Sequence, residues 1–116
     1  MKYQYYIASR WRNKDSVLEL THKLREKGKT VFCFIEPDTT NYALYEEERK
    51  YEPEEWMKKL EATSNWQKNK DLAEALKIDH DALRESEAII LLLPAGKSAH
   101  IDAGMGYGLG KKCIVI

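Results

Sequence analysis

Cysteine is scarce in this chain, and that scarcity removes two classes of small protein. Only Cys33 and Cys113 occur in 116 residues, far apart and in no CxxC-type spacing. Neither a disulfide-stapled scaffold nor a zinc module can be built from them. Each sits in an apolar, strand-like run, which predicts two reduced, buried thiols. Net charge is lacking too: 19 Lys and Arg balance 19 Asp and Glu for a formal +0. No overall basic field exists to hold a polynucleotide by counterion release. Long apolar runs are also missing, because the longest, Ala88 to Leu93, stops at Pro94, well short of the roughly 18 residues of a membrane span. The opening Met1, Lys2, Tyr3 and Gln4 has none of a signal peptide's apolar stretch. The expectation is a cytoplasmic protein with neither polynucleotide nor membrane as partner.

What is present is 43% hydrophobic, 33% charged and 10% aromatic, which fits one globular domain, 1–116, able to bury a core unaided. Tyr3 to Ala8 reads as a buried strand running into a polar loop. Val17, Leu20 and Leu24 recur at helical spacing between Asp15 and Lys27, with Gly28 as the stop. Thr30 to Ile35, β-branched and aromatic, is a second strand ended by Glu36 and Pro37. A strand-helix-strand unit of this length makes a right-handed crossover between parallel strands. Further on, a helix from about Asp71 to Glu85 precedes a central strand, Ala88 to Leu93, apolar throughout because both faces are covered. A last helix over Ala99 to Leu109 and a fourth strand over Lys112 to Ile116 complete an α/β chain, with helices on both faces of a parallel sheet.

Between these units, at about 36–70, lies an acidic insertion. From Glu36 to Glu55 it carries eight acidic residues against Arg49 and Lys50. Tyr42, Leu44, Tyr45, Tyr51 and Trp56 are interleaved with them, and aromatic rings need somewhere to pack. A lid or a dimer contact fits better than a disordered tail. Pro53 opens a short helix through Trp56, Met57 and Leu60 that ends near Thr63 to Asn65.

In a parallel sheet of order 2-1-3-4 the ligand crevice lies beyond the carboxyl ends of the first and third strands, where the strand order reverses. Arg10, Trp11, Arg12, Gly96, Lys97 and Ser98 then line it. Arginines suit a phosphate, a tryptophan a base, and the start of a helix offers free N–H groups; the competing reading makes Arg10 and Arg12 solvated surface charges. His100 could face the same crevice, although a lone histidine is no metal site. Gly104, Gly106, Gly108 and Gly110 alternate through the last helix at roughly 1 kcal/mol for each interior glycine. They either flatten two helix sides for close approach or, at Gly110, cap the end. Asp102, placed in the first turn, is either a carboxylate kept ionised by the helix dipole and aimed at the crevice, or simple helix-start stabilisation. Asp79 falls inside the apolar stripe Leu72, Ala75, Leu76, Ala82 and Leu83. It therefore needs hydrogen-bond partners, a raised pKa or a polar cleft; a structural cap is the plainer alternative. His80 and Asp81 read as solvated.

Taken together, Tyr5-Tyr6-Ile7-Ala8-Ser9 followed by Arg10-Trp11-Arg12, Asp79 ahead of the third strand, and the block LLLPAGKSAHIDAGMGYGLGKKCIVI resemble the nucleoside 2-deoxyribosyltransferase family, including its deoxynucleoside-monophosphate N-glycosidase branch. The resemblance spans most of the chain, and the last block is its most specific part. It implies a flavodoxin-like, Rossmann-like fold and a catalytic group of Tyr6, Asp79 and Asp102. It also implies Ser9, Arg10, Arg12, Gly96 and Ser98 near the sugar or phosphate of a nucleoside or nucleotide, and a homodimer or larger homo-oligomer. The implied reaction is retaining, with Asp102 as nucleophile, Asp79 assisting the leaving base and Tyr6 orienting the nucleophile, and it needs no metal or organic cofactor. The family usually carries glutamate at the position of Asp102. Two other functions compete: a non-catalytic nucleotide-binding or sensor module, and an NAD-cleaving domain of the Toll/interleukin-1 receptor type.

Overall fold

A computed structural model of the chain describes residues 1–36, 46–47, 49–62 and 70–116. The elements are β1 (Tyr3–Ala8), a 3-10 turn (Trp11–Asn13), α1 (Lys14–Glu26), β2 (Val31–Phe32), α2 (Pro53–Ala62), α3 (Lys70–Arg84), β3 (Ser86–Leu91), α4 (Lys97–Gly108) and β4 (Lys112–Val115). The four strands form one sheet of order β2-β1-β3-β4, parallel at every pairing. This is the expected flavodoxin-like architecture. Among the described residues, no helix is long and apolar enough to cross a membrane.

Alternation along β1 divides the core in two, because successive side chains of a strand point to opposite faces. Tyr6 and Ala8 join Phe32, Leu83, Ile89, Leu91, Ala99 and Ala103 beneath α3 and α4. Ile7 points the other way, into Val17, Val31, Cys33 and Ile35 beneath α1. Both α1 and α4 end in the same device. Gly28 (φ 78°) and Gly110 (φ 82°) adopt the left-handed conformation that glycine accepts without strain. Lys29 N–H donates to Leu24 O and Gly28 N–H to Arg25 O, and Lys111 N–H and Gly110 N–H do the same to Gly106 O and Tyr107 O. These are Schellman caps, and they account for Gly110 without any ligand.

Several expected boundaries move. β2 covers only Val31–Phe32 because it pairs with β1 at those two residues alone, and the chain then turns, with Glu36 N–H donating to Cys33 O. β3 begins at Ser86, paired with Tyr3, and α4 begins at Lys97 with Gly96 as its N-cap. Ser98 is therefore inside the first turn and caps nothing. Cys33 is buried as expected, but Cys113 is only half-buried, since β4 is an edge strand with a partly open face. The end of α2, expected at residues 63–65, and Tyr42, Leu44 and Tyr45 lie outside the described residues.

Candidate active site

The site is assembled by small residues. Ala99, Ala103 and Gly106 lie on the sheet-facing side of α4 and are all buried. A methyl at Gly106 would overlap Ile89 Cγ1, so α4 rests closer to β3 than any larger residue would allow. Asp102 belongs to the same side of the helix, one turn before Gly106, and the close approach sets it over β1. There the Tyr6 hydroxyl donates a 3.0 Å hydrogen bond to Asp102 Oδ2. Tyr6 is held by its own packing: it is 1% exposed and its ring stacks on Phe32 at 5.2 Å. Burial, with Asp79 and Asp102 adding to it, pushes the phenol well above its ordinary value, so Tyr6 stays a donor.

Asp79 comes from α3. Leu72, Ala75 and Leu76 do not enter the core as the helical stripe predicts; they line a cavity of about 700 Å³ together with Tyr6, Arg10, Trp56 and Asp102. Only Ala82 and Leu83, one turn beyond Asp79, are fully buried. Asp79 thus sits where α3 passes from cavity wall to core. It has no hydrogen bond or ion pair among the described residues. Burial first, and the neighbouring Asp102 second, raise its pKa to about 8, and its carboxyl keeps a proton at neutral pH.

Asp102 departs from expectation in one respect. It is the sixth residue of α4, and no acidic residue lies in that helix's first turn, so the dipole, which fades beyond the first turn, does not govern it. Its pKa is raised, because burial outweighs the opposing effects of the Tyr6 hydroxyl and the nearby His80. His80 Nε2 lies 3.8 Å from Asp102 Oδ1, so His80 is a neighbour of the site and not a solvated residue. Sequence spacing could not reveal this, because adjacent helix positions point about 100° apart and only the packing of α4 beside α3 supplies the partner.

The cavity lies at the carboxyl ends of β1 and β3, and Ser9, Arg10, Trp11, Arg12, Gly96, Lys97 and Ser98 all line it. Their roles differ. Ser9 donates its hydroxyl to Leu92 O at 2.9 Å and receives the Asn13 amide at 3.2 Å, which ties the two strand ends together. Arg12 is bound to Glu54 and Glu61 on α2 at 2.5 and 3.3 Å. It holds α2 over the cavity, where Trp56, Met57 and Glu61 form one wall. The acidic insertion thus contributes to the site, and its buried Trp56 stacks with Tyr51 at 5.8 Å. Arg10 has no ion pair among the described residues, and its buried Nε, like Trp11 Nε1, lacks a hydrogen-bond partner. His100 does not line the cavity; it is exposed, with Nδ1 2.8 Å from Gly96 O. Among the described residues no cluster of His, Cys, Asp or Glu is arranged to hold a metal ion.

Fold and site together define a class: a parallel α/β protein whose switch-point crevice pairs a protonated carboxyl with a second, tyrosine-bound carboxyl. Comparison of the chain with known protein-family models, curated proteins and solved structures finds no match.

Proposed function

We propose that the protein cleaves the N-glycosidic bond of a 2-deoxynucleoside or its 5-monophosphate, passing the deoxyribosyl group to water or to a second base. One observation carries this reading: Tyr6, Asp79 and Asp102 line a single cavity, with the Tyr6 hydroxyl on Asp102 and Asp79 raised to about 8. Two carboxyls with unlike environments are the usual basis for dividing acid and nucleophile roles. Asp102, ionised, attacks the anomeric carbon as the bond to the base breaks. Asp79 delivers its proton to the departing base. Water then attacks the same carbon, Asp79 takes up the water's proton, and the Asp102 carboxylate is released. Tyr6 fixes the orientation of Asp102 throughout.

Arg10 supports the choice of a phosphorylated substrate, since its guanidinium is not committed to a carboxylate as that of Arg12 is. Trp11, Phe34, Trp56 and Met57 supply the apolar surface against which a planar base would stack. The exposed Ile101, Tyr107, Leu109, Val115 and Ile116 on α4 and at the β4 edge support a second copy of the chain as partner.

The test is to incubate the protein separately with deoxynucleotides, ribonucleotides and NAD and to look for free base or nicotinamide by chromatography. Base release from deoxynucleotides that disappears in Asp102→Ala is the expected result. Binding without release would instead make the cavity a nucleotide-binding module, and nicotinamide release would make the protein an NAD-cleaving domain.

A further inference from the structure

The two carboxylate oxygens of Asp102 have different neighbours. Oδ2 accepts the Tyr6 hydroxyl at 3.0 Å, and Oδ1 faces His80 Nε2 at 3.8 Å. The second separation is too long for a hydrogen bond but well within the range of charge on charge. The His80 and Asp102 side chains are 34% and 18% exposed, so their interaction is only partly screened by water. A protonated imidazole is a cation with both ring nitrogens as donors, which makes His80 the source of a positive charge here. The titratable groups facing Asp102 from the packed elements are Tyr6 on β1 and Asp79 and His80 on α3. Tyr6 and protonated Asp79 are neutral, and among these three only His80 can carry a positive charge.

We propose that His80 is a positioning residue that holds Asp102 in its ionised form by lending a positive charge to the oxygen that Tyr6 leaves free. Its kinetic consequence rests on the glycosidase reading above; its electrostatic content does not. A buried acid with no cation nearby drifts toward its neutral form, which cannot attack carbon. The cation must also stand off the cavity, so as not to ionise Asp79 or repel the developing positive charge on the sugar. His80 meets that condition: it is not among the residues lining the cavity.

The experiment follows the carboxyl carbon of Asp102 by NMR through a pH titration of the wild type, His80→Gln and His80→Lys, with Asp102→Asn assigning the signal. Removing the charge in His80→Gln is expected to raise the Asp102 midpoint by at least roughly three quarters of a pH unit, the effect of one charge about 4 Å away even under full aqueous screening. His80→Lys, which keeps a cation, is expected to leave the midpoint within about a third of that shift. The acid limb of the kcat/KM profile for base release moves with the midpoint, while the alkaline limb, set by Asp79, stays in place. An Asp102 midpoint unmoved in His80→Gln overturns the proposal whatever the activity. Equal shifts in the Gln and Lys variants also overturn it, because packing and not charge would then be responsible. If the midpoint behaves as expected but the wild type releases no base, the glycosidase reading fails and the role of His80 stands.

Discussion

Replacing Asp79 by asparagine should make the protein more stable at neutral pH and abolish the proposed base release, and the gain should depend on pH in a defined direction. Asp79 has a folded-state pKa of about 8 against an ordinary carboxyl value of 3.8. A carboxyl raised on folding contributes its stability below the unfolded value and loses it as pH rises toward the folded value. In the unfolded chain Asp79 ionises near pH 4; in the folded chain it is kept neutral by burial, with Asp102 adding to the effect. Wild-type stability should therefore decline between about pH 4 and pH 8, relative to a variant whose side chain does not titrate. A displacement of about four units at 1.36 kcal/mol each sets a ceiling on the order of 5 kcal/mol. Because Asp79 also borders an open cavity, water relieves part of that, and about 2–4 kcal/mol at pH 8 is expected. With a urea slope of about 1–3 kcal/mol/M, the Asp79→Asn midpoint should lie roughly 1–2 M above wild type at pH 8 and nearly coincide with it at pH 4. Urea unfolding followed by circular dichroism at pH 4, 6 and 8 measures this. Curves that remain parallel across the range would refute the claim that Asp79 is held neutral by its surroundings.

Glycine positions in α4 should respond oppositely to one methyl group. Gly106→Ala should lose about 1–3 kcal/mol by overpacking, since the added carbon overlaps Ile89 Cγ1 and lies 3.1 Å from Ile89 Cδ1. Gly104→Ala and Gly108→Ala meet nothing within 4 Å and should each gain up to about 1 kcal/mol of helix stability; urea midpoints at one pH separate the three. Tyr6→Phe keeps the stack on Phe32 but removes the bond to Asp102. It should cost on the order of 1–2 kcal/mol and lower kcat about tenfold or more, with little change in KM. Arg10→Gln should weaken binding of a deoxynucleoside monophosphate by about 10–100-fold without affecting the nucleoside. Arg12→Gln, already engaged by Glu54 and Glu61, should change the monophosphate-to-nucleoside affinity ratio by less than about threefold; calorimetry with both ligands distinguishes the two arginines.

While the order that sets β1 beside β3 entered as a premise and is seen in the tertiary structure, local pattern by itself determined the strand-helix order and the parallel sheet. Those features follow from period, chirality and crossover length, all of which are properties of short stretches of chain. Tyr6 entered only through the family resemblance, but the same logic singled out Asp79 and Asp102, because a carboxyl in an apolar stripe and a carboxyl near a helix start stand out in one dimension. It misjudged what their surroundings were. Leu72 and Leu76 have the spacing of core residues but line the cavity, since helical period marks an apolar face without saying whether protein or a ligand space covers it. Arg12 looked like a free cation until α2 brought Glu54 and Glu61 to it. Asp102 was assigned to the helix dipole, yet its ionisation is governed by burial, Tyr6 and His80. Each of these depends on which element lies alongside which: α4 settling against β3 at Gly106, α3 lying next to α4, α2 crossing the 3-10 turn. Distances between elements arise from packing among residues far apart in the chain, and charge, burial and hydrogen bonding at the site follow from those distances.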